Sequence, residues 1–245
     1  MAKSKCKPKR ERDRPSPSSS RCGRPKGSRR FKKVSVSGPV IRKGNSNRPE
    51  TPTLDPIDGN LFMPYLKGNL HTHTSFSDGA LLPEEILEVY ADLEYDFVAI
   101  TDHDYLIRPH YWESLPDHSG RLLVFKGLEL EYAPLAYQHF GKIIGEEEVL
   151  FVLNHPRQYR LSATELNGQI GRISHDIPLH ALEVTEQGVY TPLYDTPEIL
   201  LPKVATDDAH SFDQCGRAWI EVQSPRDRDK ILRAIKAGNF RMGFK

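Results

Sequence analysis

Cysteine is scarce in this chain. Three in 245 residues, Cys6, Cys22 and Cys215, are too few and too scattered for a disulfide framework or a cysteine-rich structural zinc site. A reducing, cytoplasmic setting is the simplest expectation. No apolar run approaches the ~18 residues of a membrane span, so no integral membrane segment is expected. The basic start of the chain has no apolar stretch behind it, as a secretory signal needs, and no amphipathic stripe, as a transit peptide needs. Acidic residues are nearly missing from one end. Residues 1–48 hold only Glu11 and Asp13 against 17 Lys and Arg, a net of +15, and only nine of the 48 are apolar. Such a stretch buries too little to offset the entropy of ordering it. The other 197 residues carry 17 basic and 31 acidic side chains, a net of −14. The expected organisation is a disordered basic tail over residues 1–60 and one folded domain over residues 61–245.

Within the tail, Arg24-Pro25-Lys26-Gly27, flanked by Arg21, Arg29 and Arg30, resembles an AT-hook, a narrow arm that enters the minor groove of A·T-rich DNA. The plainer reading is a solvated basic arm over residues 1–48 that binds any polyanion weakly through counterion release.

From Tyr65 onward short strand and helix signals alternate. Leu66–His71 reads as a strand, and Phe97–Ile100, Leu122–Phe125, Val149–Leu153, Ala181–Val184, Val204–Ala205 and Trp219–Val222 have the texture of covered strands. Pro83-Glu84-Glu85 opens a helix with Ile86, Leu87, Tyr90 and Leu93 on its buried face. Ser162-x-x-Glu165 is a capping box, and Ile231, Leu232 and Ile235 mark a last helix ending near Gly238. The alternation predicts an α/β fold with a mainly parallel sheet.

All ten histidines follow residue 70. His71-x-His73 closes the first strand signal, and period-two alternation puts both imidazoles on one face, where they can share a metal. Asp78 follows. His103 lies just past the strand 97–100, within Thr101-Asp102-His103-Asp104. Glu129 follows the 122–125 run, His139 starts a short apolar segment, His155-Pro156 follows Val149–Leu153, and Asp208-x-His210 follows Val204–Ala205. Polar ligand types thus recur at one end of successive strands, where a parallel barrel gathers its active site. Histidines mixed with carboxylates suit Zn, Mn or Fe.

Together Gly68-Asn69-Leu70-His71-Thr72-His73-Thr74, Ser77-Asp78-Gly79, Ile100-Thr101-Asp102-His103, Gly127-x-Glu129, Asn154-His155-Pro156 and Asp208-x-His210 resemble the PHP (polymerase and histidinol phosphatase) family of metal-dependent phosphoesterases. The resemblance runs from about Leu66 to Phe240. It implies a small, distorted (β/α)7 TIM-like barrel. It also implies two or three divalent ions: one on His71, His73, Glu129 and Asp208; a second bridged by Glu129 and held by His139 and His155; and, where present, a third on Asp78, His103 and His210. Arg217-x-Trp219 and Ala234-x-x-Ala237-Gly238-x-Phe240 resemble a branch that also contains carbamate and amide hydrolases. One departure stands out. Gly145–Glu148 leaves too few residues between the His139 and His155 strands for a parallel crossover, so either those strands pair differently or the barrel is interrupted there.

The activity so implied is hydrolysis of a phosphomonoester, or of a nucleotide or short nucleic-acid phosphodiester, by a water activated between metals. In that reading Glu129 bridges, Asp208 or His210 manages the proton, and Arg157 and Arg217 grip the phosphate, with an ordinary surface role as the alternative for each arginine. Asp102 and Asp104 either orient His103 or cap the following turn. The competing readings are a carbamate, amide or ester hydrolase of the same fold, and a catalytically degenerate nucleic-acid-binding protein that works through its basic tail.

Overall fold

The computed structural model describes residues 63–132 and 138–245. The basic tail, with its hook-like Arg24-Pro25-Lys26-Gly27, lies outside the described residues. Seven strands form the frame: β1 (Tyr65–Asn69), β2 (Phe97–Ile100), β3 (Leu122–Tyr132), β4 (Gln138–Ile144), β5 (Val149–Leu153), β6 (Ala181–Glu183) and β7 (Lys203–Val204). They pair in chain order. A parallel bridge between Thr72 and Ala209, just past β1 and β7, brings the two ends together into a ring. Two further strands, β8 (Ala218–Gln223) and β9 (Phe240–Phe244), add to the outer side of β1 in antiparallel pairing.

The seven-stranded, TIM-like α/β barrel is therefore present, but two features depart from regular alternation. Described helices number only four: α1 (Pro83–Asp92), the single turn α2 (Tyr111–Ser114), α3 (Ala163–Ile173) and α4 (Arg228–Lys236). The sheet is also mixed. β1–β2, β2–β3, β5–β6 and β6–β7 are parallel, whereas β3, β4 and β5 form an antiparallel meander. The short Gly145–Glu148 connection is thus a hairpin turn, and of the two sequence alternatives the strands pair differently.

Strand alternation separates the packing. Phe97 and Ala99 of β2 and Leu150 and Val152 of β5 join the barrel interior with Leu66, Phe125 and Ala181. Val98 and Ile100 face out onto Ile86, Leu87 and Tyr90 of α1. Leu153 and Leu182 face out onto Leu166, Ile170 and Ile173 of α3, three residues whose burial contributes roughly 2 kcal/mol each.

The helix ends are set by their caps. Ser162 Oγ accepts from the Glu165 amide while Glu165 accepts from the Ser162 amide at 2.8 Å. Asp227 caps α4 by accepting from the Lys230 amide at 2.9 Å. Gly238, at φ +74°, ends α4 in the left-handed conformation that a side chain would disfavour.

α4 covers the end of the barrel away from the histidines. Ile231, Leu232 and Ile235 enter the interior cluster, and Asp229 accepts from the amides of Glu146, Glu147 and Glu148 in the β4–β5 turn. Because β4 runs from His139 to Ile144, that turn marks the opposite rim. Among the described residues no helix is long and apolar enough to cross a membrane.

Candidate metal centre

The residues singled out by the sequence converge on one rim. His71 and His73 lie just past β1, His103 just past β2, His155 just past β5, and Asp208 and His210 just past β7. Glu129 lies inside β3, whose pairing with β2 continues through a parallel bridge between His103 and Glu129. His139 is the exception in direction, being the second residue of an antiparallel strand. Running the other way, β4 brings its beginning to the rim where its neighbours end. Asp78 comes from the loop after His73. That loop folds so tightly against the His73 carbonyl that a Cβ on Gly79 would sit 2.6 Å from it.

Glu129, 1% exposed, stands at the middle. Its Oε1 lies 3.0 Å from His155 Nε2, 3.3 Å from His71 Nε2 and 3.4 Å from His139 Nδ1. Its Oε2 lies 3.2 Å from His103 Nδ1 and 3.4 Å from His73 Nε2. Asp208 Oδ1 lies 3.4 Å from both His71 Nε2 and His73 Nε2. Asp78 lies 3.5 Å from each of His73, His103 and His210. His139, His210 and Asp78 are the members that face solvent, with side chains 21%, 26% and 43% exposed, so they mark the opening.

The donor set fits divalent cations. Four overlapping groups bring ligand atoms within 4.8 Å of one another: His71, His73 and Asp208; His71, Glu129 and His155; His103, Glu129 and His139; and His73, Asp78, His103 and His210. His73 Nδ1, His103 Nδ1, His139 Nδ1, Glu129 Oε2 and Asp208 Oδ1 are buried without a hydrogen bond. Orphaned polar atoms are costly in a protein interior, and cations shared among these groups would satisfy them.

The charge balance of the protein alone points the same way. Burial pushes His71 and His73 down, but the surrounding carboxylates outweigh it. His71 ends well above its ordinary value, raised by Glu129, Asp208 and Glu183, and His73 rises to about 9. Burial pushes Glu129 up, but His71, His139 and His155 hold it well below the usual carboxylate range. Asp208 falls to about 2 because His71, His73 and His155 outweigh its burial. His103 goes the other way, to about 4, through burial and its neighbours His73 and His139. The pocket thus keeps its acids ionised and holds positive charge, yet not every imidazole can be protonated together.

Several residues that sequence reasoning missed hold the cluster in place. Glu183, fully buried at the end of β6, faces His71 Nδ1 at 3.2 Å and accepts from the His155 amide at 2.8 Å. Donation from Nδ1 to Glu183 leaves the Nε2 lone pair of His71 aimed into the cluster. Asn154 Nδ2 donates to Glu129 Oε1 at 2.8 Å. Asn69 Nδ2 donates to the His71 carbonyl and to Tyr90 Oη, both at 2.9 Å, while Tyr90 Oη donates to Asp207 at 2.8 Å. This chain of bonds ties the end of β1 to the segment carrying Asp208. His155 and Asp208 have positive φ, 25° and 46°, a conformation costing on the order of 1–3 kcal/mol that persists only where surroundings enforce it.

Asp102 does not orient His103; it accepts from the Thr74 amide and hydroxyl and from Ser77 Oγ, and so anchors the loop that presents Asp78. Arg157 and Arg217, the arginines expected to grip the phosphate, lie together. Both line a cavity of about 520 Å³ whose walls include none of the nine candidate ligands.

The architecture has solved counterparts. A two-domain protein from Bacteroides vulgatus, described as containing a predicted PHP-like metal-dependent phosphoesterase, superimposes with a TM-score of 0.56 at 21% identity over 74% of this chain. PsfC from Pseudomonas syringae superimposes with a TM-score of 0.56 at 17% identity over 75% of this chain and 93% of its own. The chain has a PHP-type fold. It spans 65% of the Bacteroides protein's length. No family model matches the chain, and no curated protein does.

Proposed function

We propose that this protein is a metal-dependent hydrolase that cleaves a phosphate ester, either a phosphomonoester or a nucleotide or short nucleic-acid phosphodiester. The observation that carries this reading is Glu129, buried within 3.4 Å of five imidazoles from four different strand ends. A hydrogen-bonded core has no use for so many converging acceptors, whereas two or three Zn, Mn or Fe ions do. Divalent cations bound there supply positive charge for phosphoryl oxygens and a water acidified toward neutral pH.

The chain's own groups do the rest. Glu129 bridges the two inner ligand groups and fixes their spacing. Glu183 and Asn154 hold His71 and Glu129 in one orientation. Asp208 Oδ1, 3.4 Å from the Nε2 atoms of His71 and His73, would hold an ion with them. With only the inner ions bound, His210 at the opening, its Nδ1 tied to the Asp208 carbonyl at 3.1 Å, takes the proton of the attacking water through Nε2 and passes it to solvent or to the leaving group.

The test is turnover by the metal-reconstituted full-length protein. 4-Nitrophenyl phosphate, bis(4-nitrophenyl) phosphate and nucleotides should be hydrolysed in a chelator-sensitive way, and matched 4-nitrophenyl carbamates, acetates and anilides much more slowly. Chelator-sensitive cleavage confined to the carbamates or anilides would transfer the site to the other hydrolase class. No turnover of any substrate would favour the degenerate, tail-driven binding protein.

A further inference from the structure

Two cavities, of about 640 and 520 Å³, share Arg157 and Glu186. The first also takes in Arg160, and the second Arg217, Tyr190 and Thr191. Both lie on the rim that carries the metal cluster. Arg157 is in the turn Pro156–Tyr159 directly after His155, and Glu186 belongs to a short hairpin (Thr185–Glu186 with Val189–Tyr190) directly after β6. Arg217 precedes β8, whose first residues lie beside the end of β1 because the two strands are antiparallel.

The charge of this lining runs against that of the domain. Residues 49–245 carry a net of −14, yet the walls of the two cavities hold three arginines and one acid. Arg217 is held in place from behind. Its Nε donates to the Asp213 carbonyl at 3.0 Å, Nη2 to the Asp213 carboxylate at 3.1 Å and Nη1 to the Gln187 carbonyl at 3.4 Å. That leaves two of its five N–H groups for another acceptor. Arg157 is held loosely, with Nε 3.5 Å from Glu186 and a side chain 55% exposed. An exposed ion pair of that length contributes little, so an incoming anion can displace the Glu186 carboxylate from Arg157.

We infer that Arg157 and Arg217 form a subsite for a second anionic group of the substrate, a phosphate or carboxylate, set apart from the phosphoryl group that reacts at the metal cluster. This rests on the phosphoesterase reading and narrows it to substrates carrying two anionic groups joined by a spacer. Paired guanidinium donors recognise such oxyanions through charge-assisted hydrogen bonds, which are stronger than neutral ones.

The experiment compares alkane-α,ω-diol bisphosphates of increasing spacer length with the corresponding alkyl monophosphates, using the metal-loaded full-length protein. At the best spacer length the bisphosphate should have a kcat/KM at least about tenfold higher, mostly through a lower KM, as expected for one new hydrogen bond to a charged group. Arg157→Ala and Arg217→Ala should each pull that ratio toward one, and Glu186→Gln should raise it. A ratio near one at every spacer length, or a preference untouched by either arginine substitution, overturns the subsite. A second measurement is independent of turnover: calorimetric binding of butane-1,4-diylbisphosphonic acid to metal-free protein. Weaker binding by both alanine variants supports the subsite even if no phosphate ester is hydrolysed, in which case only the hydrolase reading falls. Equal binding by wild type and both variants refutes the subsite.

Discussion

A carboxylate enclosed by imidazoles can be balanced by protons or by cations, and the two cases respond differently to single substitutions. Glu129→Gln keeps the shape and the Asn154 contact but removes the charge that would bridge two cations. It should lower turnover at least about 100-fold, as expected for loss of a metal-activated nucleophile. Glu131, two residues along the same strand but exposed and outside every ligand group, is the internal control. Severe loss in Glu131→Gln with a mild effect in Glu129→Gln would mean the bridging acid is misassigned.

The raised pKa values of His71 and His73 give a second expectation. The pair holds proton charge at pH 7 in the metal-free chain, His73 titrating at about 9 and His71 raised in the same direction, so cations must displace it and metal affinity should climb with pH. Calorimetry of metal binding near pH 7 in two buffers of different ionisation heat should report release of at least about one proton. The same groups have folded pKa values above their ordinary 6.5. Their contribution to metal-free stability is therefore complete below pH 6.5 and lost toward pH 9. No proton release, or a metal-free melting temperature flat across that window, would contradict the assigned charge state.

Among the elements, β4 shows what a sequence pattern carries and what it does not. The spacing of His and Asp residues against apolar runs located every strand end that carries a candidate ligand, because those ends combine period-two burial with polar chemistry. Strand direction is not encoded in that periodicity. Only the length of Gly145–Glu148 excluded a parallel crossover, and the antiparallel meander then explains how His139 reaches the rim from the start of its strand. Glu183 escaped notice for a related reason: a single acid inside the apolar run Ala181–Val184 reads as part of a covered strand. An unpaired carboxylate in such a run was the available signal, since it must have buried partners. Arg157 lies beside His155 in the chain, but adjacency in sequence could not reveal that it shares a cavity with Arg217, sixty residues on.

α4 depends on one acid at the opposite rim. Asp229 accepts three backbone amides from the β4–β5 turn, and those bonds hold its pKa below the ordinary value against burial. Its contribution is present above the usual Asp range and fades as pH falls through the lowered value. Asp229→Asn should therefore lower the melting temperature at pH 7, with the deficit shrinking toward pH 3, and leave metal content unchanged. Unchanged melting at pH 7 would remove the acid from any structural role there.

For the whole molecule, the division of charge is the feature that the barrel does not explain. Residues 1–48 carry +15 and the remainder −14, while every candidate ligand lies beyond residue 70. The full-length protein should bind DNA or RNA weakly, with affinity falling steeply as salt rises. Removing residues 1–48 should abolish that binding and leave turnover of a small phosphate ester nearly unchanged. Arg24→Ala should weaken binding to A·T-rich duplexes more than to mixed ones if the hook-like motif is used, and equally if the arm is generic. Nucleic-acid binding that survives the deletion would place the interaction on the barrel instead.

The chemistry of the site depends on nine side chains from one rim acting together as metal ligands. The direct measurement is elemental analysis of freshly purified full-length protein, repeated after chelation and reloading. At least two transition-metal ions per chain, removed together with activity by chelator and regained on reloading, is the expected result. Fewer than one ion per chain, with none taken up on reloading, would mean that the cluster around Glu129 is a buried network of protons and not a metal centre.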